Sequence, residues 1–347
     1  MARTSRSDAN GQRKKSHLKV DSYRQVDSYH RCQLKNGVIL NMSTTLAPIS
    51  TSRLFTLPRH SPLVWWHLLS LDAPTVAVVW SWAFARAFDI ALPWFALLTL
   101  GLGTWCVYVA DRLLDGWRSG RSTQLRERHL FYARHRRIFL SALVAAFLPL
   151  IYFLFLRVAH AVRIDDVLLA TLGLVYFILI HGPDKRDANG RRAWMPRKLW
   201  IPKEITVGIL FAVATAIPAW SRLHGKPLWM PMVVVLFSGI CCWNCIAIQI
   251  WENGCVQDSR RAEPVHPLTA WVGARLQWFA AILFIVAVGV AALAPTPEIR
   301  ILAALCSLSG VFFLLLHHFH RRMHSRTLRV AVDMALLTPL LWMLVLR

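Results

Sequence analysis

Tyr108-Val109-Ala110-Asp111-Arg112-Leu113-Leu114-Asp115-Gly116-Trp117-Arg118 closes an apolar segment at roughly residues 91–112 and opens a strongly basic loop. Two carboxylates at the end of a membrane helix are costly unless something cationic meets them. Their four-residue spacing puts Asp111 and Asp115 on one helical face. The stretch therefore predicts a membrane-spanning helix that ends in a site for a hard cation, and through it for an anionic substrate. The plainer alternative is a solvated helix end paired with Arg112 or Arg118.

Working outward, the same apolar pattern recurs. The chain has 347 residues, 56% of them hydrophobic, and a mean hydropathy of +0.42. The apolar residues come in blocks at roughly 68–88, 91–112, 137–156, 164–181, 204–221, 228–251, 269–294, 299–318 and 328–346. Each is near the ~20 residues that cross a bilayer core. The expected fold is an all-α, polytopic membrane bundle of about nine transmembrane helices, one domain over residues 62–347. Prolines at 74, 93, 149, 218 and 339 fall in or near these blocks and are tolerated in membrane helices, where they introduce kinks. Trp65, Trp66, Trp117, Trp200, Trp229 and Trp251 lie near segment ends, as interfacial anchors do.

Residues 1–61 are polar and basic, with no sustained period and no apolar h-region. They are expected to form a disordered cytoplasmic arm rather than a secretory signal. Val20-Asp21-Ser22-Tyr23 recurs there as Val26-Asp27-Ser28-Tyr29, a duplication without evident chemistry. Met42 is an alternative start; a transit peptide fits less well, because Asp8, Asp21 and Asp27 interrupt it.

The net charge of +22 admits a nucleic-acid reading, but its distribution opposes one. Lys and Arg concentrate in the N-terminal arm and in alternate loops: Arg112–Arg137, Lys185–Lys203, Arg260–Arg261 and Arg321–Arg329. That is the positive-inside pattern. It places the N-terminus and the end of the second helix in the cytoplasm, and the C-terminus on the far side. Partners are then lipid and a substrate, with no nucleic acid and no obligate protein. The seven cysteines form no disulfide framework. Cys242-x-x-Cys245 lacks a second pair for a tetrahedral metal site, so these residues read as small packing groups. His317, His318, His320 and His324 sit in a basic loop that suits lipid headgroups better than a metal.

A second polar run ends the sixth segment: Asn244, Gln249, Glu252 and Asn253 within Cys242–Asn253. Asn244 and Glu252 lie two turns apart along one side of a helix. On the expected topology this end faces the cytoplasm, as the Asp111/Asp115 end does. Taken alone, Asn244 and Gln249 also fit the common role of hydrogen-bonding glue between membrane helices.

Two acidic helix ends on one side of a bundle resemble the UbiA superfamily of intramembrane prenyltransferases. That family has nine helices and a first motif Asn-x-x-x-Asp-x-x-x-Asp. Val107, Asp111 and Asp115 occupy those positions, with Val107 in place of the Asn. Its second motif, often Asn-x-x-x-x-Asp-x-x-Asp, is matched in spacing by Asn244, Gln249 and Glu252. Leu71-Asp72-Ala73-Pro74 resembles the opening of the family's first helix, and Lys203-Glu204-Ile205-Thr206-Val207-Gly208 the start of its fifth. The resemblance covers residues 62–347. It implies Mg²⁺-dependent transfer of a prenyl group from a polyprenyl diphosphate to an aromatic or other acceptor. It further implies Asp111, Asp115 and Glu252 as the catalytic metal-binding acids, Asn244 and Gln249 as further metal ligands, and Arg118, Arg121, Arg126, Arg128 and Lys203 as diphosphate donors. A catalytically degenerate relative that binds an isoprenoid or a partner is the alternative, and a transporter the third reading.

Overall fold

The computed structural model describes residues 61–119, 127–157, 163–165, 167, 171, 173, 201–223, 225, 228–254 and 265–345. Among them the chain is helical and contains no strand. The helices are α1 (Pro62–Leu68), α2 (Asp72–Ala87), α3 (Trp94–Ser119), α4 (Glu127–Arg134), α5 (Arg136–Leu156), α6 (Lys203–Trp220), α7 (Trp229–Gly254), α8 (Pro267–Gly273), α9 (Leu276–Leu293), α10 (Pro297–Phe319), α11 (Ser325–Met334) and α12 (Pro339–Val345).

Six of these, α3, α5, α6, α7, α9 and α10, are long and apolar enough to cross a membrane. The count reaches eight if each of two bent pairs is one span: α1 with α2, bent by 92°, and α11 with α12, bent by 52°. The expected segment at 164–181 lies almost wholly outside the described residues, as does the N-terminal arm at 1–60.

The core lies where α2, α7 and α10 meet. Trp80 stacks on Phe237 with ring centres 4.3 Å apart, and Trp243 stacks on Phe313 at 4.2 Å. All four are buried. An indole N–H in an apolar interior needs an acceptor. Trp80 donates to the Leu336 carbonyl at 2.7 Å and Trp243 to the Leu276 carbonyl at 2.8 Å. Trp251, expected as an interfacial anchor, instead packs inside, edge-on to Trp243 and stacked on His320.

Small residues set the helix spacing, as is usual where lipid offers no hydrophobic drive for association. A Cβ at Gly208 of α6 would come within 2.7 Å of the Cys242 backbone nitrogen on α7. Cys242 is therefore a packing residue at this crossing, and its thiol donates to the Ile205 carbonyl at 3.4 Å. Among the described residues Cys106, Cys241, Cys242, Cys245 and Cys306 are free thiols.

Both breaks in the bent pairs fall at the same polar region. A broken membrane helix is tolerated only where its freed backbone groups find partners. At the α1–α2 bend, Trp105 donates to the Leu69 carbonyl at 3.0 Å and Arg112 to the His67 carbonyl at 3.0 Å. At the α11–α12 break, Trp80 serves Leu336, while Thr338 donates to Leu305 of α10 at 3.0 Å and pairs with Ser309.

Candidate functional site at the two breaks

The α1–α2 bend places its residues by a strained turn. Ser70 has φ of 57°, a left-handed conformation uncommon for anything but glycine, asparagine or aspartate. Its side chain accounts for its presence. The hydroxyl accepts from Arg112 at 2.6 Å and pairs with the Tyr132 hydroxyl of α4 at 2.5 Å. The turn aims His67, at the end of α1, back at Asp72, the first residue of α2. Asp72 sits at a helix N-terminus, where the exposed N–H groups favour negative charge, and accepts from the Ala73 N–H at 3.0 Å.

His67 is the centre of the cluster. Its Nδ1 lies 2.7 Å from Asp72 Oδ2 and 3.5 Å from Asp333 Oδ2, an acid brought in by the last turn of α11. Arg112 Nη2 approaches Asp72 Oδ2 from the other side at 3.5 Å, and its guanidinium lies over the Tyr132 ring. Asn244 of α7 donates to Asp333 Oδ1 at 3.4 Å, whereas its own Oδ1 is buried without a partner. His67, Asp72, Arg112 and Asn244 are all buried, and the Asp333 side chain is 14% exposed. One ligand atom from each of His67, Asp72 and Asp333 lies within 4.8 Å of the others; among the described residues these three form the group with metal-ligand spacing.

The residues expected to carry chemistry are distributed around this cluster. Asp111 and Asp115 flank Arg112 on α3 and are both half-buried. The helical repeat sets them on the face of Tyr108, which packs edge-on against Phe211 of α6. Their carboxylates are oxygen donors of the kind Mg²⁺ takes, and among the described residues neither belongs to a group of three donors at metal-ligand spacing. Val107, at the position of the missing motif Asn, is 59% exposed. Asn244 and Gln249 are buried on α7, and the amide of Asn244 goes to Asp333. Lys203 is exposed at the first turn of α6; its neighbour Glu204 is buried and accepts from Thr269 of α8 at 3.0 Å. Arg121 and Arg126 lie outside the described residues, and for Arg118, Arg128 and Glu252 the helical backbone is described but the side chains are not.

The chain matches no protein-family model, no curated protein and no solved structure.

His67, Asp333 and the partnership of Arg112 with Asp72 are absent from the reading of motifs. One signal did point to Asp333: it is the only acid in the apolar block at 328–346, and an ionisable residue inside a membrane segment is a functional candidate by default. His67 carried no comparable signal, because its role depends on the 92° reversal that follows it. The expected histidine group at 317–324 is used differently. His317 and His320 stack on one another, and the His324 ring accepts from the Arg326 N–H at 3.3 Å, capping α11.

Proposed function

We propose that this protein is a UbiA-like intramembrane prenyltransferase, moving a prenyl group from a polyprenyl diphosphate to an aromatic or other acceptor at the cytoplasmic end of the bundle. The observation that supports this most is a chain of polar contacts that links α3, which carries Asp111 and Asp115, to Asn244 of α7. Arg112, next to Asp111 and one turn from Asp115, joins Asp72, His67, Asp333 and Asn244 in one contact chain.

In this reading Asp111, Asp115 and Glu252 hold Mg²⁺, Gln249 supports them, and Asn244 belongs to the Asp333 side. Bound Mg²⁺ supplies neutralisation of the charge on the leaving diphosphate. Arg118, Arg121, Arg126, Arg128 and Lys203 add charge-assisted donors to its oxygens. The aromatic and aliphatic walls of α2, α3, α6 and α7 keep water from the allylic cation left after diphosphate departs. The N-terminus is cytoplasmic and the C-terminus is on the opposite side.

Two observations favour a second reading, a membrane protein that binds an isoprenoid or a partner without turnover. Asp72 is already met by Arg112 and His67, and Val107 supplies no donor where the motif has one. Diphosphate release from geranyl or farnesyl diphosphate by purified protein with Mg²⁺, over a panel of acceptors, separates the two. The enzyme reading expects turnover that Asp111→Asn and Glu252→Gln each abolish. Undiminished turnover in both variants removes these site residues, and silence across the panel favours the second reading.

A further inference from the structure

We propose that His67, Asp72 and Asp333 form a second metal site, for a first-row divalent cation of the Zn²⁺ or Mn²⁺ class, with the Asn244 carbonyl as fourth donor. The site is separate from the Asp111/Asp115 stripe, and the inference stands whether or not the protein transfers prenyl groups.

Three lines of observation converge. First, the ligand atoms are gathered: His67 Nδ1 is 2.7 Å from Asp72 Oδ2 and 3.5 Å from Asp333 Oδ2. Ligands of a small divalent ion at about 2.0–2.2 Å from the metal lie roughly 3 Å from one another, so the His67–Asp72 edge needs to open by a few tenths of an ångström, and all three atoms already lie within 4.8 Å of one another. Second, Asn244 is buried and its Oδ1 has no partner. A buried acceptor left unmet is costly. The same side chain already reaches Asp333, and a half-turn of its amide puts the carbonyl where the amide nitrogen now meets that acid. Third, two acids share the cluster with one guanidinium and one imidazole. Arg112 answers Asp72, and Asp333 has His67 and Asn244 as its neighbours. Buried carboxylates are held by pairing or by a metal.

The donor chemistry narrows the ion. One imidazole nitrogen with carboxylate and amide oxygens suits Zn²⁺ or Mn²⁺, whereas Mg²⁺ prefers an all-oxygen set with several waters. With a divalent ion in place, the cluster carries one excess positive charge. Arg112 stays outside the ligand set, anchored on the His67 carbonyl and Ser70. The bound ion ties the α1–α2 bend to the last turn of α11, two breaks at opposite ends of the described chain.

The test uses the full chain purified in detergent, stripped with EDTA and titrated separately with Zn²⁺, Mn²⁺ and Co²⁺. The expected result is one equivalent of bound Zn²⁺ by elemental analysis, and visible Co²⁺ ligand-field bands that Zn²⁺ displaces. Asp333→Asn lowers affinity by on the order of tenfold or more. Asn244→Asp, which adds an anionic donor, tightens binding, and Leu148→Ala, on the exposed side of α5, leaves it unchanged. Asp333 and Asn244 are chosen because substitutions at His67 and Asp72 disturb the bend itself; gel filtration and circular dichroism confirm that each variant is folded. Wild-type protein that binds no stoichiometric metal overturns the proposal, as does binding that Asp333→Asn does not weaken. Loss of metal binding in Asp111→Asn moves the site to the other acids. A silent prenyl-transfer assay leaves these readouts intact.

Discussion

Helices α5 and α7 are both apolar enough to span a membrane and nearly equal in span, at 21 and 23 residues, yet 56% of the apolar window of α7 is buried in the protein against 6% for α5. Hydropathy does not separate them; α5 is the more apolar of the two. Composition at finer grain does. α7 carries Gly239, Cys241, Cys242, Asn244, Cys245, Ala247 and Gln249, whereas α5 carries bulky residues on most sides, with Ile138, Val144, Phe147, Leu148, Tyr152 and Phe155 exposed. Lipid tails are as apolar as leucine, so large side chains gain little by choosing protein over lipid. Close packing and polar contacts decide which helix is central. The polar cluster accordingly gathers around α2, α3, α7 and α11, and α5 serves as an outer wall.

Substitutions at three positions press on that contrast. The largest effect is expected at Arg112, whose guanidinium holds Asp72, Ser70 and the His67 carbonyl. Removing one partner of a buried ion pair typically costs about 3–5 kcal/mol, so Arg112→Met should collapse the denaturation midpoint in detergent. Arg112→Lys should recover only part of it, because a lysine lacks the planar fork. A midpoint within error of wild type would show that the bend is held by other means.

Gly208→Val should come next. Its added Cβ meets backbone atoms of Cys242, at 2.7 Å from the nitrogen and 2.8 Å from Cα, which cannot rotate away. Overpacking of this kind costs about 1–3 kcal/mol. The expected readout is a lower melting temperature together with faster labelling of the Cys242 thiol as α6 and α7 separate. Unchanged labelling would mean that the two helices tolerate a wider crossing.

The smallest effect is expected on α5. Leu148 is 68% exposed, and surface substitutions away from special features usually stay within about 0.5 kcal/mol. Leu148→Ala should leave the melting temperature unchanged. A clear loss of stability there would place a partner against α5 and remove the distinction between core and wall.

These particulars also show what could be read before the fold was known. Blocks of apolar residues located the six helices long enough to span, because a bilayer imposes a length on any segment that crosses it. Asp111, Asp115, Asn244 and Gln249 stood out because polar side chains near membrane helix ends are few. The partner choices did not stand out. Asn244 was grouped with Gln249 and Glu252 by spacing along α7, but its amide meets Asp333, which is far away in sequence. Trp251 looked like an interfacial anchor from its place near a segment end, yet it packs inside against Trp243 and His320.

By itself the sequence determined a multi-pass helical membrane protein, since composition and block length decide how each segment partitions between water and lipid. The tertiary structure alone decided that two of those segments break, and that their breaks meet. The reason is that a break is stable only when distant side chains satisfy its carbonyls. Arg112 and Trp105 do so for the bend before Asp72, and Trp80 for the break after Asp333. Those long-range hydrogen bonds carry His67, Asp72 and Asp333 into one cluster, and no local pattern along the chain records them.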